Sequence, residues 1–145
     1  MIQFFVPGKP QGKARARTFY NRKLGRMQSM TPENTVLYEN HIIQSYLDAA
    51  EKPQLLQGQL EVSINAYFPV PKSTTKKVRK QIEDGEVLPT KKPDADNIAK
   101  VVCDALNQIA YQDDTQVVKL VVTKQFETDN EPVGLIVQIK EYERN

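Results

Sequence analysis

Cysteine and histidine are almost absent from this 145-residue chain, and tryptophan is missing altogether. With Cys103 as the single cysteine, an internal disulfide is impossible and a zinc–thiolate site lacks ligands. His41 is the single histidine, which excludes a histidine-rich metal site. His41 falls inside a predicted helix, where we interpret it as a packing residue rather than a metal ligand.

Long apolar runs are also missing, so no segment has the length of a membrane span. The stretch Met1–Val6 is too short for a signal peptide and lacks a basic n-region. We therefore expect a cytoplasmic protein with no membrane partner. A length of 145 residues is most simply one domain, spanning residues 1–145.

Acidic residues are missing from the first 32 positions. Its seven basic residues give that segment a net charge of +7, whereas the whole chain has a net charge of only +2, so the remaining residues have a net charge of −5. The seven are Lys9, Lys13, Arg15, Arg17, Arg22, Lys23 and Arg26. This asymmetry predicts a polyanionic partner. Glycines and prolines predict a mobile basic arm at about 7–31, in which Tyr20–Lys23 is a candidate turn of a loose hairpin.

Within this arm, Lys13, Arg15 and Arg17 recur every second residue, which puts three cations on one side of an extended chain. Phe19 and Tyr20 follow directly. Cations beside aromatic rings suit a nucleic-acid backbone and an unstacked base. The alternative is a charge run that is simply solvated or disordered.

Hydrophobic periodicity predicts a strand at 2–6, a strand at 59–69 and two further strands at 115–126 and 133–142. Three helices are predicted. One is capped by Thr31 and runs to about Ala50, burying Val36, Ile42, Ile43 and Leu47. One is short, very basic and capped by Ser73. The third covers 97–107 with a single apolar stripe formed by Ile98, Val101, Val102, Ala105, Leu106 and Ile109. The order predicts an α/β (α+β) fold in which helices cover one face of a small mixed sheet.

Four aspartates flank the third helix, which makes this region the strongest candidate site. Asp94 and Asp96 stand at its start, and Asp113 and Asp114 follow its end. In one interpretation, one of Asp94 and Asp96 is the N-cap of the helix and the other complements the helix dipole. In the other, both are ligands of Mg²⁺, which prefers oxygen. By chain length, Asp114 reaches the first pair only if residues 107–114 double back beside the helix.

Lys100 lies one turn into the same helix. It pairs with Asp96 or Asp104 at i, i+4, or it contacts a scissile phosphate and stabilises developing negative charge. Asp104 is interpreted as a structural surface charge. Asn97 is either a further oxygen ligand or a cap.

These residues form a pattern that resembles the RusA family of Holliday-junction resolvases of bacteria and prophages. The resemblance is carried by Pro93-Asp94-Ala95-Asp96-Asn97, Lys100, Asp104-Ala105-Leu106-Asn107, Asp113-Asp114-Thr115-Gln116-Val117-Val118, and the arm Gly8–Arg17. Ala16, Ala95 and Gln108 depart from the family's usual residues, but none of them is a candidate ligand.

The resemblance implies that Asp94, Asp96 and Asp114 are metal-binding catalytic aspartates and that Lys100 is the essential lysine. It also implies a RusA-like homodimer that uses Mg²⁺, or Mn²⁺ in its place, to nick two symmetry-related strands of a four-way DNA junction. The products would carry 5′-phosphates, and the role would lie in DNA recombination and repair. Candidate DNA contacts are Lys9, Lys13, Arg15, Arg17, Arg22, Lys23, Lys76 and Lys77.

Two alternatives stay open. In the first, the chain is a non-catalytic branched-DNA-binding module whose aspartates are helix caps. In the second, it is a metal-dependent hydrolase of small phosphate esters, which would turn over substrate without any branched DNA.

Overall fold

A four-stranded sheet with helices on one face organises the computed structural model, which describes residues 1–144. In chain order the elements are β1 (Ile2–Pro7), β2 (Arg17–Asn21), β3 (Arg26–Met30), α1 (Glu33–Ala50), β4 (Leu60–Phe68), α2 (Lys76–Glu83), α3 (Ala95–Leu106), β5 (Val117–Phe126) and β6 (Gly134–Glu141). The sheet order is β1-β6-β4-β5. Strands β4 and β5 are parallel, and the long crossover between them holds α2 and α3. The predicted α+β class is confirmed.

The core lies between the sheet and two helices. Along β4, the alternating residues Leu60, Val62, Ile64 and Ala66 are buried, as the sequence predicts. Helix α1 packs against β1, and α3 packs against β5 and α1. The apolar stripe of α3 is buried from Ile98 to Leu106, whereas Ile109 lies beyond the helix and is only half-buried.

Two helix starts differ from the prediction. The N-cap of α1 is Pro32, not Thr31, because the Pro32 carbonyl accepts the N–H groups of Thr35 and Val36 at 3.1 and 3.2 Å. The N-cap of α2 is Thr75, not Ser73, because the Thr75 hydroxyl stands next to the first turn and accepts the Val78 N–H at 3.3 Å.

The buried face of α1 is also rotated from the predicted one. Its buried residues are Thr35, Tyr38, Ile42 and Tyr46, while Val36 is 41% exposed. The hydroxyl-bearing rings of two tyrosines are inside, and Tyr46 packs edge-on against Phe4 with ring centroids 5.7 Å apart. A prediction based on aliphatic residues misses this face. Burial raises the pKa of Tyr38 to about 12.

The segment predicted as an arm contains a separate two-stranded antiparallel sheet of β2 and β3. Its turn is Arg22–Gly25, where the Gly25 N–H donates to the Asn21 carbonyl at 2.8 Å and Gly25 adopts a φ of 63°. A left-handed φ favours glycine at this place. The loose hairpin is therefore present, two residues later than predicted, and the mobility of residues 7–31 stays a prediction. None of the helices within residues 1–144 is long and apolar enough to cross a bilayer.

Candidate functional site

The start of α3 presents two uncommitted carboxylates. Asp94 occupies the N-cap position in extended conformation, and its carbonyl accepts the Ile98 N–H at 3.0 Å, but its side chain makes no capping hydrogen bond. Asp96 lies in the first helical turn, and both aspartates are exposed. Asp94 therefore occupies the capping position without using its carboxylate as a cap, and the carboxylate is available to a ligand.

Lys100 is exposed on the outward face of α3. In the part of the chain that the structure describes, it forms no ion pair, so the i, i+4 pairs considered for it are not made. Asp104 instead lies 3.3 Å from the Nζ of Lys13. Asp104 thus has the structural role interpreted from the sequence, and Lys100, one helical turn after Asp96, is exposed to solvent.

Lys13 joins the base of the basic arm to both large helices. Its Nζ lies 3.3 Å from the Glu39 carboxylate on α1 as well as from Asp104 on α3. Its backbone N–H donates to the Asn97 carbonyl at 3.1 Å. The ammonium is mostly buried, with 19% of the side chain exposed. Lys13 is therefore an anchor whose charge is already matched.

Gly12 sits directly against the motif at the start of α3. A Cβ at this position would lie 2.9 Å from the Cβ of Asn97 and 3.0 Å from that of Pro93. Neither is the free end of a flexible side chain, so only glycine allows this approach. The contact holds the arm beside Asp94 and Asp96.

The second aspartate pair lies in a tightly bonded turn at the other end of α3. Asp113 accepts the Thr115 N–H at 3.0 Å at the start of a single 3₁₀ turn, Asp114–Gln116. The Gln116 amide nitrogen donates to the carbonyls of Leu56 and Gly58 at 3.0 and 3.1 Å. Its oxygen accepts the N–H groups of Gln112 and Asp113 at 3.0 and 3.2 Å. One side chain thus fixes the whole turn.

The two carboxyl groups of this turn differ electrostatically. The hydrogen bond from the Thr115 N–H, helped by the contact with Asp114, lowers the pKa of Asp113. Partial burial, followed by the neighbouring Asp113 and Asp104 carboxylates, raises the pKa of Asp114. Asp114 therefore stands in a locally negative environment that a cation would relieve.

Within the chain, Asp114 does not reach the start of α3. Its N–H donates to the Asn107 Oδ1 at 3.1 Å, and Asn107 caps the C-terminal end of the helix. The N-cap and C-cap residues of α3 are about 20 Å apart at 1.5 Å per residue. Residues 107–114 turn back onto Asn107 instead of running beside the helix. Among residues 1–144, no three His, Cys, Asp or Glu side chains are grouped closely enough to hold a metal ion. Asp94, Asp96 and Asp114 as one metal site stay a prediction.

The predicted DNA contacts other than Lys13 are all exposed. They are Lys9 after β1, Arg15 and Arg17 at the base of the hairpin, Arg22 and Lys23 in its turn, and Lys76 and Lys77 in the first turn of α2. A cavity of about 370 Å³ opens next to Pro93, with Phe68 and Phe126 among its apolar lining and Lys9, Lys91 and Lys92 as its cations. Lys91 and Lys92 thus put positive charge directly before the acidic motif, and Lys9 lines the same cavity.

Comparison with known proteins places these features in a family. The family model described as "Endodeoxyribonuclease RusA" matches residues 7–140. The chain belongs to the RusA endodeoxyribonuclease family. It is also 33% identical over 126 residues to the uncharacterized protein YqaN of Bacillus subtilis (strain 168), covering 85% of this chain and 86% of that protein. RusA nucleases act on branched DNA and in general depend on divalent metal ions.

Two residues of the matched region have structural roles that the sequence did not predict. Gln116 lies in the motif, and its amide makes four hydrogen bonds to backbone groups in and around the Asp113–Asp114 turn. Glu39 follows Tyr38 in the matched region and provides the partner of Lys13. The sequence offers one signal for Gln116 and Glu39: each is a polar residue inside the matched region to which no chemical role is assigned.

Proposed function

We propose that this protein is a Mg²⁺-dependent, structure-specific endonuclease that resolves four-way DNA junctions by paired symmetric nicks in recombination and repair. The observation that carries the proposal is the pair of exposed carboxylates, Asp94 and Asp96, at the start of α3 in a member of an endodeoxyribonuclease family. Within residues 1–144, neither carboxylate forms an ion pair, and that of Asp94 makes no capping hydrogen bond, so both are available to a cation.

The basic arm and its hairpin are proposed to contact the DNA backbone. Arg15 and Arg17 follow the anchored Lys13 along the chain, and the contacts of Gly12 and Lys13 with Asn97 keep the base of the arm beside the acidic motif. Exposed cations that flank acidic residues bring the phosphate backbone to the carboxylates, which would otherwise repel it.

Lys100 is proposed to contact the phosphate that is cut. Its ammonium is exposed, has no ion-pair partner among the described residues and lies one helical turn from Asp96. A fixed positive charge there stabilises the negative charge that develops on the phosphate oxygens. The reaction is hydrolysis: water adds to phosphorus, the bond between phosphorus and O3′ breaks and O3′ takes up a proton, leaving a 5′-phosphate and a 3′-hydroxyl.

Support for Mg²⁺, with Mn²⁺ as a substitute, comes from the general metal dependence of RusA nucleases. The carboxylates have the right chemistry, since hard cations prefer oxygen. Their positions do not fit a three-aspartate site inside one protomer, because Asp114 lies at the opposite end of α3.

The proposal includes a homodimer. A four-way junction has two-fold symmetry, and two matching nicks require two active sites related by that symmetry.

The test is the cleavage of a synthetic mobile four-way junction, with a linear duplex of the same sequence as control, in Mg²⁺ and in EDTA. We expect paired nicks at symmetric positions in the junction only, with 5′-phosphate ends, and none in EDTA. Tight binding without cleavage in any divalent metal would favour a branched-DNA-binding module. Turnover of small phosphate esters without branched DNA would favour a small-molecule hydrolase.

A further inference from the structure

We propose that the cavity lined by Phe68, Phe126 and Lys91 is a base pocket, which takes up one unstacked nucleobase of the branched DNA beside the phosphate that is cut. This inference rests on the proposed function and adds how the substrate is recognised. The cavity has a volume of about 370 Å³. Pockets that hold small organic groups have volumes of about 300–1,000 Å³. A nucleobase is therefore a ligand of suitable size.

The floor of the base pocket lies where the two parallel strands of the sheet end. Phe68 and Phe126 are the last residues of β4 and β5 and are directly paired, so both rings are on the same face of the sheet. The chain passes from β4 to β5 through α2 and α3, and the cavity lies beyond the carboxyl ends of the two strands. Ligands of open α/β sheets bind in crevices at this end of the strands.

One wall of the base pocket is the loop that leads into α3, and side-chain and backbone contacts hold it in place. The Val87 N–H donates to the Gln81 carbonyl on α2 at 3.3 Å. The Lys91 carbonyl accepts the Lys124 ammonium at 2.6 Å, and the same ammonium lies 5.3 Å from the centroid of the Phe68 ring. Lys124 thus ties the wall to the floor.

The charged residues that line the base pocket are all cations. They are Lys9, Lys91 and Lys92, and no acidic residue lies among the lining residues that the structure describes. Within residues 1–144 none of these three lysines forms an ion pair. Leu88, which also lines the pocket, is 50% exposed. A nucleotide matches this combination, because its base stacks on apolar and aromatic side chains while its phosphates pair with cations.

The base pocket adjoins the carboxylates of the candidate site. Lys91 is three residues before Asp94, so their Cα atoms are at most about 11 Å apart. Gly12, packed against Pro93, holds the basic arm at the same place. A base that enters the pocket therefore belongs to a nucleotide only a few positions from the phosphate at Asp94.

A base pocket also accounts for selectivity toward branched DNA. Inside a continuous duplex, a base leaves the helix only by losing its pairing and its stacking on both sides. A base pair at an open branch point has already lost one stacking neighbour, so extrusion costs less free energy there. Binding of the extruded base in the pocket therefore favours a branch point over linear duplex.

Pocket variants and junctions with abasic sites test the proposal together. Leu88→Ser removes apolar surface at a half-exposed position of the pocket. Leu55→Ser is the matched control, because Leu55 is 40% exposed and precedes β4, at the opposite end of that strand from Phe68. Binding to an immobile four-way junction is measured in EDTA, so that no strand is cut. We expect Leu88→Ser to bind about five- to tenfold more weakly with an unchanged salt slope, since a stacked base releases no counterions, and Leu55→Ser to bind like wild type.

The abasic scan then identifies the base that is bound. Each nucleoside at and next to the branch point is replaced in turn by an abasic site. At one position we expect wild type and Leu88→Ser to bind equally, because no base is left to enter the pocket, while their difference persists at the others. A difference that persists at every position would overturn the proposal. Equal binding of the two proteins to the intact junction would also overturn it and would leave the pocket to another ligand, such as an acidic peptide.

Phe126→Leu is the second pocket variant, because it removes a ring from the floor and keeps an apolar side chain. We expect it to lose its difference from wild type at the same abasic position, with circular dichroism as the check of folding. If Phe126→Leu does not fold, Leu88→Ser decides alone.

The outcomes for wild type distinguish failure of the proposed function from failure of the base pocket. Junction binding that shows the abasic dependence, without cleavage in any divalent metal, would refute the nuclease and keep the pocket. Cleavage of junctions without the abasic dependence would refute the pocket alone. Wild type that binds no branched DNA would refute both.

Discussion

Two lysines of the site, Lys13 and Lys100, have opposite environments although both lie near the acidic motif. Lys13 is mostly buried and paired with Glu39 and Asp104, whereas Lys100 is exposed and unpaired among the described residues. Sequence reasoning grouped Lys13 with the DNA contacts because periodicity alone cannot distinguish a cation that faces a carboxylate from one that faces solvent.

For Lys13→Ala we expect a loss of about 1–2 kcal/mol in the free energy of unfolding, because two partly buried carboxylates lose their partner. The salt dependence of DNA binding should change little. Urea denaturation and binding isotherms at several salt concentrations measure both quantities. A large change in the salt slope with unchanged stability would make Lys13 a DNA contact instead.

For Lys100→Ala we expect nearly normal junction binding with cleavage reduced by about 10²–10³-fold, the cost of removing one charge that stabilises a transition state. Single-turnover cleavage at saturating enzyme separates the two quantities. Binding that falls in step with cleavage would assign Lys100 to docking.

Among the elements, the turn after α3 shows how a motif residue acts through the backbone. Gln116→Ala removes four hydrogen bonds to backbone groups, so we expect a loss of about 2–3 kcal/mol in stability and weaker cleavage, although no carboxylate is changed. Gln112→Ala, an exposed neighbour, is the control. Thermal unfolding and junction cleavage are the measurements. If stability and cleavage were unchanged in Gln116→Ala, the turn would be stable without the Gln116 side chain.

Four of the exposed cations predicted to contact DNA lie in the hairpin and at its base: Arg15, Arg17, Arg22 and Lys23. For Arg15→Ala and Arg17→Ala we expect weaker junction binding and a salt slope reduced by about one for each phosphate that the arm no longer touches, because fewer counterions are released on binding. Titrations of each variant from low to moderate salt give the slope. A slope equal to that of wild type would argue against binding of the DNA backbone by the arm.

Element prediction from the sequence succeeded where one periodicity dominated. The α3 stripe and the alternation of β4 each match one buried face, because apolar side chains there have a single place to pack. It failed on α1, where Tyr38 and Tyr46 take the buried face and Val36 stays exposed. The prediction also failed on the N-caps, which are Pro32 and Thr75. The geometry of the preceding loop decides which hydroxyl or carbonyl oxygen reaches a free N–H, and the sequence does not specify that geometry.

At the scale of the whole molecule, the carboxylates of the site could be identified from the sequence but their arrangement could not. Asp94, Asp96 and Asp114 lie within 21 residues of the sequence, yet α3 separates the first two from the third, because a helix fixes the separation of its ends. The base pocket likewise follows from the parallel pairing of β4 with β5, which no local pattern specifies.

Asp94 is proposed to take part in cutting branched DNA rather than in folding or docking. The most direct measurement compares wild type, Asp94→Asn and the surface control Asp48→Asn for binding and cleavage of one four-way junction in Mg²⁺. We expect all three to bind, wild type and Asp48→Asn to make paired nicks, and Asp94→Asn to make none. Full cleavage by Asp94→Asn would contradict the account.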